Sequence, residues 1–193
     1  MNREESRKAE AGSAARLELE TDEALARHIG EGNAGAFQVL MARYVNMHLA
    51  FAERIMGNRQ EAEDIVQDAF AKLWVNAGKY DPSKAKFTTW FYRIVLNRCL
   101  DKKRKKRPVA LPENYDVRDD APTPAEALAE REKQQRVKDA LEQIPDRQQA
   151  AIMLCYFEGL SNREAADILG LKVKALESLL CRGRKNLGNL LKG

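Results

Sequence analysis

Apolar side chains recur at three- and four-residue spacing over most of the chain, the period of helices that bury one face. Leu25 and Ile29 open the pattern. Phe37, Leu40, Met41, Tyr44 and Val45 continue it into Leu49, Ala52, Ile55 and Met56. A third stripe holds Ala62, Ile65, Val66, Ala69, Phe70, Leu73 and Trp74, and a fourth Phe87, Trp90, Phe91, Ile94 and Val95. Gly30–Gly35, Gly57-Asn58 and the stretch Gly78–Lys86, with its Asp81-Pro82 pair, break the stripes as turns or loops. Thr21-Asp22 reads as the cap where order begins. Residues 1–20 are polar and alanine-rich, and are expected to be a disordered extension or a frayed helix.

Pro108 closes the fourth helix. Residues 108–123 contain Pro108, Pro112 and Pro122 with four carboxylates, have no helical period, and read as an acidic linker. Thr123-Pro124-Ala125-Glu126 has the form of a capping box with proline at the first helical position. Helices are predicted over Ala125–Gln143, Asp146–Phe157, Asn162–Leu169 and Val173–Leu191. No segment alternates as a strand would. The expected fold is all-α: an extension over 1–20, a helical domain over 21–107, a flexible linker over 108–123, and a second helical domain over 124–193 that contains a helix-turn-helix.

Charge sharpens this picture through its distribution. The 193 residues carry a formal net charge of only +4. Yet Arg98–Arg107 holds seven Lys/Arg against Asp101, and Lys172–Lys192 holds six against Glu177. Acidic residues gather in Glu61–Asp68 and Glu113–Asp120. Two basic ends separated by acidic stretches suggest two nucleic-acid faces and a different partner between them. No apolar run is long enough to cross a bilayer, so no membrane contact is expected, and MNREESRKAEAG lacks the apolar core of a secretory signal. Cys99, Cys155 and Cys181 are odd in number and scattered, as are His28 and His48. A reduced, cytoplasmic setting without a metal site or cofactor follows.

The C-terminal motif begins at Gly159-Leu160-Ser161-Asn162-Arg163-Glu164. Ser161 can cap a helix while Glu164 reaches back. Ala165 and Ala166 allow close helix approach, Ile168 and Leu169 face inward, and Gly170 supplies a left-handed turn. Leu171 fills the gap between the helices, and Leu176, Leu179, Leu180 and Leu187 form the buried side of the next one. Lys174, Glu177, Ser178, Cys181, Arg182, Arg184 and Lys185 are left outward, a face suited to the major groove. The earlier residues of that helix are candidates for base reading. Arg182, Arg184 and Lys185 suit phosphate. A helical hairpin with a solvated basic face is the plainer alternative.

In the first domain, Trp90, Phe91 and Tyr92 precede Arg93, Asn97 and Arg98. Aromatics beside cations suit unstacked bases and a single-strand backbone. Trp90 and Phe91 fall on the apolar stripe and are expected in the core, leaving Tyr80 and Tyr92 freer to meet DNA. Arg93 and Asn97 share a face. Asp64, Gln67 and Asp68 beside Phe70 and Trp74 make a poor DNA face but a reasonable protein-docking one, with an aromatic anchor and a charged rim.

The stretches EAEDIVQDAFAKLWVNAGKYDPSKAKFTTWFYRIVLNRCLDKKRK and IPDRQQAAIMLCYFEGLSNREAADILGLKVKALESLLCRGRKNL resemble, in order, the two conserved domains of extracytoplasmic-function sigma factors. The resemblance implies a bacterial transcription initiation factor without enzymatic activity. It implies that the helix with Asp64, Gln67, Asp68, Phe70 and Trp74 docks on the clamp coiled coil of the polymerase β′ subunit. The loop Lys79–Lys86, with Tyr80, Asp81 and Lys84, would join Arg93, Asn97, Arg98 and Lys102 in reading and melting the minus-ten element, where a base flips into the loop. Arg163, Lys172, Lys174, Glu177, Ser178, Cys181, Arg182, Arg184 and Lys185 would meet the minus-thirty-five duplex. The acidic linker would run through the polymerase channels past the β subunit. An anti-sigma factor would cover the polymerase-binding surfaces. The chain departs from the family at Glu177, where a cation is usual, and at Lys172, where Ser or Thr usually caps. Glu177 repels phosphate but can accept from cytosine N4.

Two other classes fit parts of the sequence. GLSNREAADILGL alone suits the output domain of a LuxR-type regulator, but the first domain has no phosphoacceptor or ligand-binding α/β pattern. A metal-dependent nuclease would need Glu61, Glu63, Asp64 and Asp68 to hold Mg²⁺, yet these lie on one helix with no second carboxylate motif.

Overall fold

A computed structural model describes residues 16–106 and 135–192. Every regular element among the described residues is helical. The chain divides into two compact units, Met1–Glu53 with Asn58–Arg98, and Arg54–Gly57 with Cys99–Gly193. The expected linker 108–123, the capping box at Thr123 and most of the 1–20 extension lie outside the described residues.

The first unit is built from α1 (Asp22–Gly30), α2 (Ala34–Met56) up to Glu53, α3 (Arg59–Asn76), a 3₁₀ turn (Ala77–Lys79) and α4 (Phe87–Lys106) up to Arg98. Thr21 caps α1 by accepting from the Ala24 N–H at 3.3 Å, and Asn58 caps α3 by accepting from that of Glu61 at 3.0 Å. Asn33 does the same for α2 through Ala36. The core is aromatic. Phe51, Phe87 and Phe91 are fully buried, and Phe70 packs 4.9 Å from Phe91 between ring centroids. The stripe on α4 runs through Phe87, Phe91, Tyr92, Val95, Leu96 and Cys99. Tyr92 is therefore a core residue, 3% exposed, against the expectation that it faces DNA. Trp90 and Ile94 are half-buried at the margin. The stripe lies one position toward Tyr92 because His48 and Phe51 of α2 both meet the Tyr92 ring edge-on.

Order also starts earlier than Thr21. Residues 16–18 are helical, and Arg43 donates to the carbonyls of Glu18 and Glu20 at 2.6 and 3.0 Å. A contact across more than twenty residues leaves no local period to read.

The second unit contains a helical segment over 135–143, α5 (Asp146–Ile152), a π-helical turn (Met153–Phe157), α6 (Asn162–Leu169) and α7 (Val173–Leu190). The predicted helix 146–157 is thus interrupted by a wider turn after Ile152. Its core holds Ile144, Leu154, Ala165, Ile168, Leu176 and Leu180. Gly183 is buried on α7, where a β-carbon would stand 3.0 Å from Ile152 Cδ1 and 3.3 Å from Gln148 Cβ. Its missing side chain lets α5 and α7 cross closely, offsetting the usual cost of glycine inside a helix.

Candidate nucleic-acid and partner interfaces

The helix-turn-helix forms as its residues dictate. Ser161 Oγ accepts from the Glu164 N–H at 3.3 Å while Glu164 Oε2 accepts from the Ser161 N–H at 3.1 Å, so two orphan amides at the start of α6 are satisfied. Gly170 ends α6 at φ 64°, a left-handed conformation that favours glycine. Arg147 then donates to the Leu169 carbonyl at 3.0 Å, tying the turn to α5.

On α7, Leu176, Leu180 and Gly183 face inward, with Leu179 and Leu187 half-buried. Lys174, Ser178, Cys181 and Lys185 recur at helical spacing on the opposite side and are exposed. Glu177 and Arg184 flank that stripe on one side and Arg182 on the other, all exposed. Arg163 on α6 and Lys172 are exposed as well. Lys172 stands at the N-cap of α7 and makes no side-chain capping bond. Arg182 Nε donates to the Ser178 carbonyl at 3.2 Å and the Ser178 hydroxyl to that of Lys174 at 3.0 Å. These bonds hold two exposed side chains along the helix.

In the first unit, the loop between the 3₁₀ turn and α4 is braced internally. The Tyr80 hydroxyl donates to the Ala85 carbonyl at 2.9 Å, and its ring packs 5.2 Å from Trp90 and 6.0 Å from Phe87. Burial first, then the charges of Glu23, Asp22 and Asp81, push the phenol up to about 12. Asp81 accepts from both the amide and the hydroxyl of Ser83, which holds its carboxyl below the usual range. Lys84 is exposed beside Asp81 at 3.2 Å. Arg93 and Asn97 project together from α4 and are exposed, while Lys102 is half-buried. Arg98 is half-buried with Nη2 3.9 Å from Asp68, so one of the basic residues leans toward the acidic face of α3.

That acidic face is exposed at Asp64, Gln67 and Asp68. Trp74 is 41% exposed and rests edge-on against Phe37, with centroids 5.4 Å apart. Phe70, at 5%, lies below the surface and supports Phe37 from beneath at 6.1 Å. Sequence reasoning passed over two exposed apolar neighbours, Val75 beside Trp74 and Met41 one turn beyond Phe37. Val75 falls off the apolar stripe of α3, and an apolar residue out of period is the signal that would have marked it. Tyr156 and Phe157, exposed on the π turn, form a second aromatic patch in the other unit. Among the described residues no three His, Cys, Asp or Glu side chains form a metal-binding group, and no helix is long and apolar enough to cross a membrane.

Comparison with known proteins accounts for both halves. The family described as Sigma-70 region 2 matches residues 40–109, and Sigma-70, region 4 matches residues 134–187. The chain is 30% identical over 177 residues to the ECF RNA polymerase sigma factor SigW of Bacillus subtilis, covering 86% of this chain and 94% of SigW. It is 34% identical over 183 residues to the RNA polymerase sigma factor CnrH of Cupriavidus metallidurans, covering 89% and 95%. A solved structure of CnrH in complex with the cytosolic domain of CnrY superposes with a TM-score of 0.67 at 32% identity, covering 89% of this chain and 97% of that one.

Proposed function

Because the chain belongs to the extracytoplasmic-function sigma factors, we propose that it binds core RNA polymerase and directs it to a particular set of promoters. The domain over 21–107 attaches to polymerase and opens the minus-ten element. The domain over 124–193 grips the minus-thirty-five duplex. Neither performs catalysis: affinity and position are the whole contribution, and the chemistry belongs to the polymerase. The place of action is the cytoplasm.

The carrying observation is the exposed face of α7 behind a fully capped α6. A basic helix with small and polar side chains at its start fits the major groove. In this reading Lys174, Glu177, Ser178 and Cys181 meet base edges, with Arg163, Lys172, Arg182, Arg184 and Lys185 on phosphate. In the first domain Asp64, Gln67, Asp68 and Trp74 face the β′ clamp, with Phe70 as support beneath. Tyr80, Asp81, Lys84, Arg93, Asn97, Arg98 and Lys102 surround the opened strand. The acidic linker passes the β subunit. Restraint by an anti-sigma factor over the polymerase-binding face is supported by the solved complex of CnrH with the cytosolic domain of CnrY.

Run-off transcription from a promoter library with purified bacterial core polymerase tests this function. Promoter-specific transcripts that require the chain are expected. Their absence with folded protein would sink the proposal.

A further inference from the structure

Glu23 and Gly30 are not among the residues assigned to polymerase or DNA, yet they place the two ends of α1 on either side of the loop that joins α3 to α4. At the C-terminal end, Gly30 lies against the 3₁₀ turn. A β-carbon on Gly30 would stand 2.9 Å from Gly78 Cα, 3.0 Å from Gly78 N and 3.4 Å from the Ala77 carbonyl carbon. These are backbone atoms, so no side-chain rotation relieves the clash, and close packing transmits the displacement to whatever follows the turn. At the N-terminal end, Glu23 Oε1 accepts from the Phe87 N–H at 3.2 Å. That amide belongs to the first turn of α4, whose donors have no partner within the helix, and a carboxylate there is also favoured by the helix dipole.

The strut is itself anchored away from the loop. Asp22 takes Arg43 Nη1 at 2.6 Å and accepts the Tyr44 hydroxyl, both from α2. Beyond the burial of Leu25, Ala26 and Ile29 in the core, α1 is therefore tied to α2 through Asp22 and makes two contacts that bracket Lys79–Lys86: one where the chain leaves α3, the other where it enters α4.

We propose that α1 is a positioning frame for this loop, with Gly30 and Glu23 setting its two ends and thereby controlling capture of the opened minus-ten strand without touching DNA. This rests on the assignment of the loop to minus-ten recognition. Recognition of a flipped base depends on a pocket already in place, and the frame holds that pocket before DNA arrives.

The test uses the full chain bound to core polymerase and a fluorescent single-stranded oligonucleotide bearing the non-template minus-ten sequence of a promoter that this holoenzyme transcribes. Gly30→Ala, Gly30→Val and Glu23→Ala are each expected to weaken strand capture by about tenfold, as about 1 Å of misplacement in a pre-organised site costs one to two orders of magnitude. Affinity for core polymerase should stay unchanged. Glu23→Gln, which keeps an acceptor oxygen for the Phe87 N–H, should retain most of the binding. Leu40→Val, a core substitution in α2, provides a variant lowered in thermal midpoint that leaves the frame intact. Equal loss of capture by Leu40→Val would reduce the effect to general stability and overturn the frame. The double variant Asp81→Ala, Lys84→Ala separates the two levels. If it weakens capture while the α1 variants do not, the frame is wrong and the loop assignment stands. If it leaves capture unchanged, the loop assignment fails and takes the frame with it.

Discussion

His48 meets Tyr92 edge-on, with ring centroids 4.5 Å apart, and neither imidazole nitrogen has a hydrogen-bond partner among the described residues. Tyr44 and Phe91 enclose the ring as well. A fully buried imidazole in this aromatic nest must remain neutral, and burial pushes its pKa down from 6.5 to about 3. In the unfolded chain the same group takes up a proton below about 6.5. Above that pH it contributes no pH dependence. As pH falls from 6.5 toward 3 the unfolded state binds the proton that the native state refuses, and stability drops by about 1.4 kcal/mol per pH unit. His48→Leu should remove this component. Urea unfolding at pH 6.5 and pH 4.5 measures it, as a smaller loss for the variant than for the natural chain. Equal losses would contradict the burial account.

Gly183 and Gly188 lie on the same helix and should respond oppositely to added bulk. Nothing lies within 4 Å of a β-carbon on Gly188, so Gly188→Ala should stabilise by about 0.5–1 kcal/mol through helix propensity. Gly183→Val forces branched bulk against Ile152 and Gln148, and should destabilise by about 1–3 kcal/mol. Thermal melts of the two variants decide the matter. A neutral Gly183→Val would mean that α5 and α7 separate without penalty.

Trp74→Ala tests the protein-docking face. A half-exposed aromatic anchor of this kind commonly carries about 2 kcal/mol of binding, or about thirtyfold in affinity. Titration of core polymerase with labelled protein should show that loss, while helicity by circular dichroism and binding to minus-thirty-five duplex remain intact. Undiminished polymerase affinity would move the docking site elsewhere on α3.

Arg182→Ala addresses phosphate contact. Its guanidinium is exposed and held back along α7 by the bond to Ser178. Loss of one phosphate contact should weaken duplex binding for all sequences and reduce the slope of log affinity against log salt by about one. The slope is read from titrations across a salt series, and no change in it would exclude phosphate contact by Arg182.

Local signals made much of this architecture readable. Ser161 with Glu164 marked the start of α6, and Gly170 marked its end, because capping and left-handed turns depend on residues within one turn of each other. Tyr92 was misplaced for the opposite reason. Its burial is decided by His48 and Phe51, more than forty residues away, and the period on α4 alone allows either neighbour of Phe91 inward. The close approach at Gly183 has no local signal, since Ile152 explains it only once the helices pack, and the choice at residues 16–18 between a disordered extension and a frayed helix is likewise decided by distant Arg43. Among the candidate site residues, those on α7 stand outward as their spacing predicts. Phe70 does not share the surface with Trp74, and Arg98 turns toward Asp68.

The joint between Gly30 and Gly78 has no rotamers to freeze, so forming it orders no side chain at all. It also offers nothing to adjust. Every alternative residue at position 30 adds volume at the point of closest approach, and none brings the two backbones nearer. Such a joint acts as a mechanical stop: inheritance can preserve it or jam it, and under the proposed function any retuning toward a new promoter falls to side chains elsewhere, in the loop it bounds and on α7.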